Sequence, residues 1–280
     1  MNKKSLIALA IISLAWVASA SGQTAFDNMC QFYQIQQSVI VQYTQDGMTV
    51  YDKNSIQAMW PIMLNGKDCT SLQHELIKNI TGKDDIHDIN QAINYYLYTD
   101  VEGNKHNLGK DCKLVDEATL DLSGQSANIS RRTIDLRNIN SRFATFHIFY
   151  NDYYAGAAHG MYANEYLTYD MTLHKVVTLD QIVNDTEALR PIIMQAITEQ
   201  LDYTADDLFL PDDGLPPMPS SFFIEDGALH LVYQAYEIAS FAQGRIDVTI
   251  YPHMVENKTN LIYPYGYILM KESDFISGIY

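Results

Sequence analysis

The chain has 280 residues, 47% hydrophobic and only 19% charged, which supplies a core and excludes a disordered chain. Its length suits one large or two small domains of roughly 100–200 residues each, and no period of 20–50 residues marks a repeat array. Eighteen Lys and Arg against 34 Asp and Glu give a net charge of −16; without a basic face, nucleic acid is excluded as a partner.

Lys3 and Lys4 precede an apolar stretch from Leu6 to Val17 and then Ala18-Ser19-Ala20, the three regions of a secretory signal peptide with cleavage expected after Ala20. The stretch is shorter than the roughly 20 residues that cross a bilayer, and no other segment comes closer. The expected mature protein therefore has no membrane span. The first cysteine, Cys30, lies well behind the apolar stretch, so no lipid anchor is expected and the protein is placed in the periplasm or outside the cell. Loss of Lys3 and Lys4 leaves 16 basic against 34 acidic side chains, a mature charge of −18.

Gln36 to Val50 reads as two short strands around Gln45-Asp46-Gly47, a hairpin turn whose glycine accepts positive φ. Thr70 with Gln73 has the spacing of a capping box ahead of Leu72, Leu76, Ile77 and Ile80, and Thr81-Gly82 supplies the stop. Asp84 or Asp85 is then expected to cap a second helix carrying Ile86, Ile89, Ile93 and Leu97 on one face. Asp100 to Asp111 reads as a loop.

The second half is rich in strands. Phe143 to Tyr150 and Met161 to Tyr169 read as neighbouring antiparallel strands joined by a tight segment, Ala155 to Gly160. Ile192, Ile193, Ala196, Ile197 and Leu201 suggest one helix with Pro191 near its first turn, after a separate turn over Asn184 to Arg190. Leu210 to Ser221, with four prolines, Gly214 and two aspartates, reads as an exposed loop. Strands follow at Ala228 to Ala235, Arg245 to Tyr251 and Leu261 to Met270. The expected fold class is α+β, antiparallel sheets with a few helices packed on one face. The domains expected are a smaller N-terminal α+β domain over 21–140 and a C-terminal α+β domain over 141–280.

Two segments are more specific than secondary structure requires: Tyr153-Tyr154-Ala155-Gly156-Ala157-Ala158-His159-Gly160, leading to Val177-Thr178-Leu179-Asp180, and Phe223 to Ile246 with Tyr236-Glu237-Ile238-Ala239 at its centre. In order and spacing they resemble the extracytoplasmic domain shared by the lysozyme-sensing anti-sigma factor RsiV, the peptidoglycan deacetylase PdaC and many exported bacterial proteins. Trp60-Pro61-Ile62 and the helix after it look like the accessory domain preceding it there. The sequence departs from both namesakes. No membrane span or sigma-binding segment is expected in it, and Pro211-Asp212-Asp213-Gly214 only echoes a deacetylase motif, without its His pair. Gly156-Ala157-Ala158-His159 replaces the usual Gly-Gly-Ala-His. The resemblance implies an exported envelope binding protein whose partner is a basic, lysozyme-like protein or a cell-wall glycan.

Cys30, Cys69 and Cys112 enter a compartment where disulfides persist. A Cys69–Cys112 bridge is one expectation, three unpaired thiols the other. The candidate ligand-binding residues are Tyr153, Tyr154, His159, Tyr236 and Glu237. His159 either presents its imidazole to a ligand or ties its turn to a backbone carbonyl. Tyr236 and Phe241 are expected to be buried while Glu237 accepts loop N–H groups, with recognition as the other role. Twenty tyrosines offer contact area for a protein or glycan, or simply reflect strand propensity. The spacing of His and acidic residues matches no metal site, and no nucleotide or serine-hydrolase motif occurs; no catalytic residue, metal or cofactor is expected. The alternative is a glycan hydrolase using carboxylates from separate loops, Glu165 and Glu237 among them. Two carboxyls about 5–9.5 Å apart across a cleft would favour it.

Overall fold

The computed structural model describes residues 30–100, 103–120, 126–183 and 185–255. The expected signal peptide and the strand at Leu261 to Met270 lie outside these residues. The chain forms two compact units: unit 1 is Met1–Asp135 with Ile148–Tyr162, and unit 2 is Leu136–His147 with Ala163–Tyr280. It therefore passes between the units three times. The class is α+β.

Unit 1 is built on strands β1 (Gln31–Gln45) and β2 (Met48–Leu64), a hairpin in register from Gln45↔Met48 to beyond Tyr33↔Trp60. Asp46 and Gly47 both have positive φ, 52° and 77°, the two-residue turn whose twist matches antiparallel strands. β2 runs fourteen residues past the expected end at Val50. The alternation there is masked because Asp52 and Asn54 occupy inward, buried positions before Ile56, Ala58 and Trp60. A short β3 (Lys67–Asp68) pairs with the end of β2, and β4 (Cys112–Val115) pairs with β1. β5 (Ala127–Ile139) lies beside β2 in parallel, Tyr51↔Ala127 through Ala58↔Ile134. This parallel pair stands among antiparallel ones, β1 with β2 and β4, and β2 with β3. β6 (Phe143–Tyr153) lies next to β5.

Helix α1 (Thr70–Thr81) buries Leu72, Leu76, Ile77 and Ile80 and ends at Gly82, φ 65°, whose N–H reaches Lys78 O at 2.7 Å. The expected capping box does not form. Cys69 occupies the N-cap, Thr70 Oγ1 donates to Asp68, and Gln73 Nε2 donates to Pro61 O at 2.8 Å. Helix α2 (Ile89–Leu97) is capped by Asp88, whose carboxylate accepts from Gln91 N, so Ile86 lies outside it. Its last carbonyls, orphaned at any helix end, are met by Asn54, whose Nδ2 donates to Tyr96 O and Leu97 O at 3.4 and 3.1 Å, and to Thr99 O just beyond the helix at 2.9 Å.

In unit 2 the neighbouring order is β5-β6-β7-β8, with β7 Met161–Asp170 and β8 Lys175–Val176. A separate antiparallel sheet has β10 (Ala228–Tyr233) between β9 (Ser221–Glu225) and β11 (Ile246–Ile250). Helix α3 (Thr186–Leu201) contacts β11 and buries Leu189, Ile192, Ile193, Ala196 and Ile197. It begins five residues before Pro191, where a separate turn is expected from the sequence. Asp185 caps Ala188 N at 3.0 Å, and Leu189 and Ile192 are buried on both sides of the proline, so one missing N–H is outweighed. The core here joins Phe143, Leu189, Ile193, Ile197, Leu231, Tyr233, Ile238 and Val248.

Among the described residues, no helix is long and apolar enough to cross a membrane.

Candidate functional site

In unit 2, the connection after β10 is a tight turn in which Tyr236 N donates to Ala239 O at 3.1 Å and Glu237 N to Gln234 O at 3.0 Å. The Glu237 carboxylate locks it from both sides, accepting Ser220 N at Oε1 (3.1 Å) and Gln234 N at Oε2 (2.7 Å). This is the N–H-accepting role expected for Glu237. Tyr236 departs from expectation: it is 52% exposed with φ 71°, a left-handed conformation costly for a bulky residue and held only where surrounding structure imposes it. Burial is refused because the residue that turns inward is Ile238, fully buried, while Tyr236 faces out against Phe241 with centroids 5.6 Å apart.

Phe209 joins this neighbourhood, its N–H donating to Ile238 O at 2.7 Å, and its side chain is 58% exposed. Gln243 Nε2 donates to Asp207 O at 3.1 Å, tying the other edge of the turn to the same loop. From Asp202 to Asp213 the chain carries five aspartates and no Lys or Arg. Hydrogen bonds from Thr204 hold the Asp207 carboxyl below the usual carboxylate range, and Arg190 does the same for Asp213. The loop thus sets the exposed Phe209 ring among aspartates, of which Asp213 is paired with Arg190 at 2.8 Å. Sequence reading of the proline loop as exposed leads to it, but nothing local joins Phe209 to Tyr236; the backbone bond to Ile238 does.

Glu165, on β7, has its carboxyl raised, chiefly by burial and also by the Glu237 charge. The two candidate hydrolase carboxylates therefore sense each other. Both oxygens of Glu237 are nevertheless occupied by backbone N–H groups, a holding role that leaves the turn dependent on them.

The remaining candidates are in unit 1. His159 Nδ1 lies 3.0 Å from Gly160 O, the turn-tying arrangement. Tyr153 is half-buried, Tyr154 exposed, and the turn closes by Ala157 N to Tyr154 O at 2.9 Å. Gly160 permits a close approach: a Cβ there would stand 3.3 Å from both Asn151 Oδ1 and Asp152 O, tighter than ordinary van der Waals contact. The Cys69–Cys112 bridge is contradicted by strand register. Cys112 pairs with Tyr43 near one end of β1, whereas Cys69 follows Asp68, which shares Met63 with Gln31 at the other end. Twelve residues of strand at about 3.3 Å each separate them, far beyond the roughly 7 Å limit between bridged Cα atoms. The thiol whose charge reaches Cys69 is Cys30, and burial, first of all, pushes the Cys69 thiol up to about 12.

Sequence reasoning missed a buried polar cluster on β2. Asp52, only 1% exposed, accepts from Tyr43 Oη at 3.1 Å and Asn128 Nδ2 at 2.8 Å, and lies 2.8 Å from His106 Nε2. It pins the loop around His106 to the sheet; the pairing across 54 residues has no local signature.

Residues 180–251 match DUF3298, a protein family of unknown function. A DUF3298-family protein from Bacteroides fragilis shares the fold with a TM-score of 0.66 at 19% identity, over 87% of this chain and 98% of that one. A second, from Pseudomonas aeruginosa, has a TM-score of 0.53 at 14% identity, over 85% of this chain and 96% of that one. No curated protein matches the chain in sequence. The matched segment contains the Tyr236 turn, the Phe209 loop and α3.

Proposed function

We propose that the chain is a non-catalytic, exported binding protein of the bacterial envelope that recognises a basic, lysozyme-like protein through the Phe209–Tyr236–Phe241 face. The observation that carries this reading is the strained and exposed Tyr236, held in place by a carboxylate clamp. Strain sustained to expose an aromatic ring is unexplained by folding, which would favour glycine there. Aromatic residues supply contact area at low entropic cost, and the neighbouring aspartates attract a basic partner. The resemblance to the RsiV-like and PdaC-like proteins and the amino-terminal signal pattern support the same reading.

The test compares binding of hen-type lysozyme and cytochrome c, two basic proteins, at low and physiological salt. Specific binding loses on-rate as the Debye length shortens to about 8 Å yet keeps a slow off-rate. Lysozyme is expected to stay bound, cytochrome c to dissociate, and Tyr236→Gly with Phe209→Ser to abolish the difference. Equal affinities that both vanish at physiological salt would overturn the proposal.

A further inference from the structure

Unit 1 contains a cleft of about 150 Å³ lined by Tyr95, Tyr96, Asp100, Ser130, Arg132 and Asp152, with Ile80 on its wall. Its floor comes from β5, where Ser130 and Arg132, two residues apart, share one face of the strand. The polar groups are held before any ligand arrives. Arg132 meets Asp152 through two bonds, Nη1 to Oδ1 at 2.7 Å and Nη2 to Oδ2 at 2.9 Å. Its guanidinium carbon lies 5.3 and 4.9 Å from the ring centroids of Tyr96 and Tyr150. Ser130 Oγ donates to Asp152 Oδ1 at 2.6 Å, and Tyr96 Oη stands 3.1 Å from both Ser130 Oγ and Ser55 O.

An arginine has five N–H donors. Three of those on Arg132 are spent, two on Asp152 and one from Nη1 to Arg131 O at 3.1 Å. The Nε–H is buried without a partner, and one Nη2 hydrogen is likewise unassigned. The Nε–H is shut off from solvent, so the donor left for an acceptor brought from outside is the second Nη2 hydrogen, on a side chain that is 15% exposed. Asp152, whose side chain is 27% exposed, offers acceptor capacity beside it, and Asp100 adds a carboxylate at the cleft's edge, its oxygens accepting from Asn104 N at 2.7 Å and Asn104 Nδ2 at 3.1 Å.

We propose that this cleft binds one uncharged sugar ring of a saccharide. The class follows from the pairing of groups. A hydroxyl both donates and accepts, matching a site that sets carboxylate acceptors next to guanidinium donors. Among the described lining residues Arg132 is the one cation and Asp152 and Asp100 are carboxylates, a balance that disfavours an anion. Tyr95 and Ile80 give the ring an apolar wall, the usual complement to a few placed polar groups. The size suits one ring with the rest of a chain outside. Unlike the protein-binding face of unit 2, this site needs only residues of unit 1.

The test is calorimetric titration of the purified protein with N-acetylglucosamine, its linear tetramer and glucuronate, with melting measured for each variant. Both neutral probes are expected to bind, the tetramer at least as tightly, and glucuronate about tenfold or more weaker. Free monosaccharide as the natural ligand would show as equal affinity of monomer and tetramer, a polymer as a gain with length. Tyr95→Ala removes the wall and is expected to weaken the neutral probes about tenfold at unchanged melting. Asp100→Asn keeps an oxygen for Asn104 but removes a charge, and should narrow the gap between glucuronate and the neutral sugars. No heat with either neutral probe at millimolar concentration, glucuronate as the tighter ligand, or unaltered binding in a folded Tyr95→Ala would each overturn the proposal.

Discussion

Replacement of Glu237 by Gln separates holding the turn from touching a partner. The carboxylate accepts two backbone N–H groups, at 3.1 and 2.7 Å, and hydrogen bonds to a charged acceptor contribute more than neutral ones. Glutamine keeps one acceptor oxygen and turns an amide N–H toward the second donor, leaving a backbone N–H unmet at a cost of roughly 1–3 kcal/mol. For a chain of this size that lowers Tm by roughly 2–12 °C. Denaturant unfolding with a constant m-value is the assay. The companion variant Tyr236→Gly works in the opposite direction. It relieves a left-handed conformation but frees the unfolded chain, so stability should stay level or rise by up to about 1 kcal/mol while partner binding is lost. If Glu237→Gln melts like the parent, or if Tyr236→Gly destabilises by more than about 1 kcal/mol, the clamp-and-strain account is refuted.

Burial holds the His230 imidazole below its ordinary 6.5, despite the raising effects of Asp247 and Glu225; a lowered base takes up protons first in the unfolded chain, so stability should be full above pH 6.5 and fall as pH drops toward the folded value. His230→Asn should remove that slope between about pH 7.5 and 5.5 in urea melts, and an unchanged slope would exclude His230 as its source. Glu165 has the opposite sign: its raised carboxyl makes its contribution fully present below the unfolded pKa and lost as pH rises through the folded one, so Glu165→Gln should match or exceed parental stability at pH 7. Strong destabilisation by that variant would show that the ionised carboxylate is needed. Cys69 is buried with its thiol pushed up to about 12, so native alkylation should be far slower there than at the half-buried Cys112; a Cys69–Cys112 peptide found by non-reducing mapping would contradict the strand register.

The sequence was most informative where local chemistry and burial agree. Asp46-Gly47 forms the hairpin turn expected of it, the apolar stripe of α1 is buried residue for residue, and the proline loop stays irregular from 211 to 220. The spacing around Glu237 was enough to expect an acceptor of loop N–H groups. Helix starts were less legible because rivals for the same donors and acceptors came from distant segments. Pro61 takes the Gln73 amide that a capping box would use, and packing around Leu189 and Ile192 carries α3 through Pro191.

What the amino-acid sequence by itself determined is the α+β class, the turns, the amphipathic faces and the acidity of the chain, all set by near neighbours or by composition. Tertiary structure alone decided the parallel pairing of β2 with β5, the ends of those strands and the cleft beside them. The physical reason lies in their inward positions. Asp52, Asn54, Ser130 and Arg132 stand where a strand that serves only a core would carry apolar side chains, so the period-two pattern is broken. Their burial is supported by partners that no spacing encodes: Asn54 by the end of α2, Asp52 by His106, and Arg132 by Asp152.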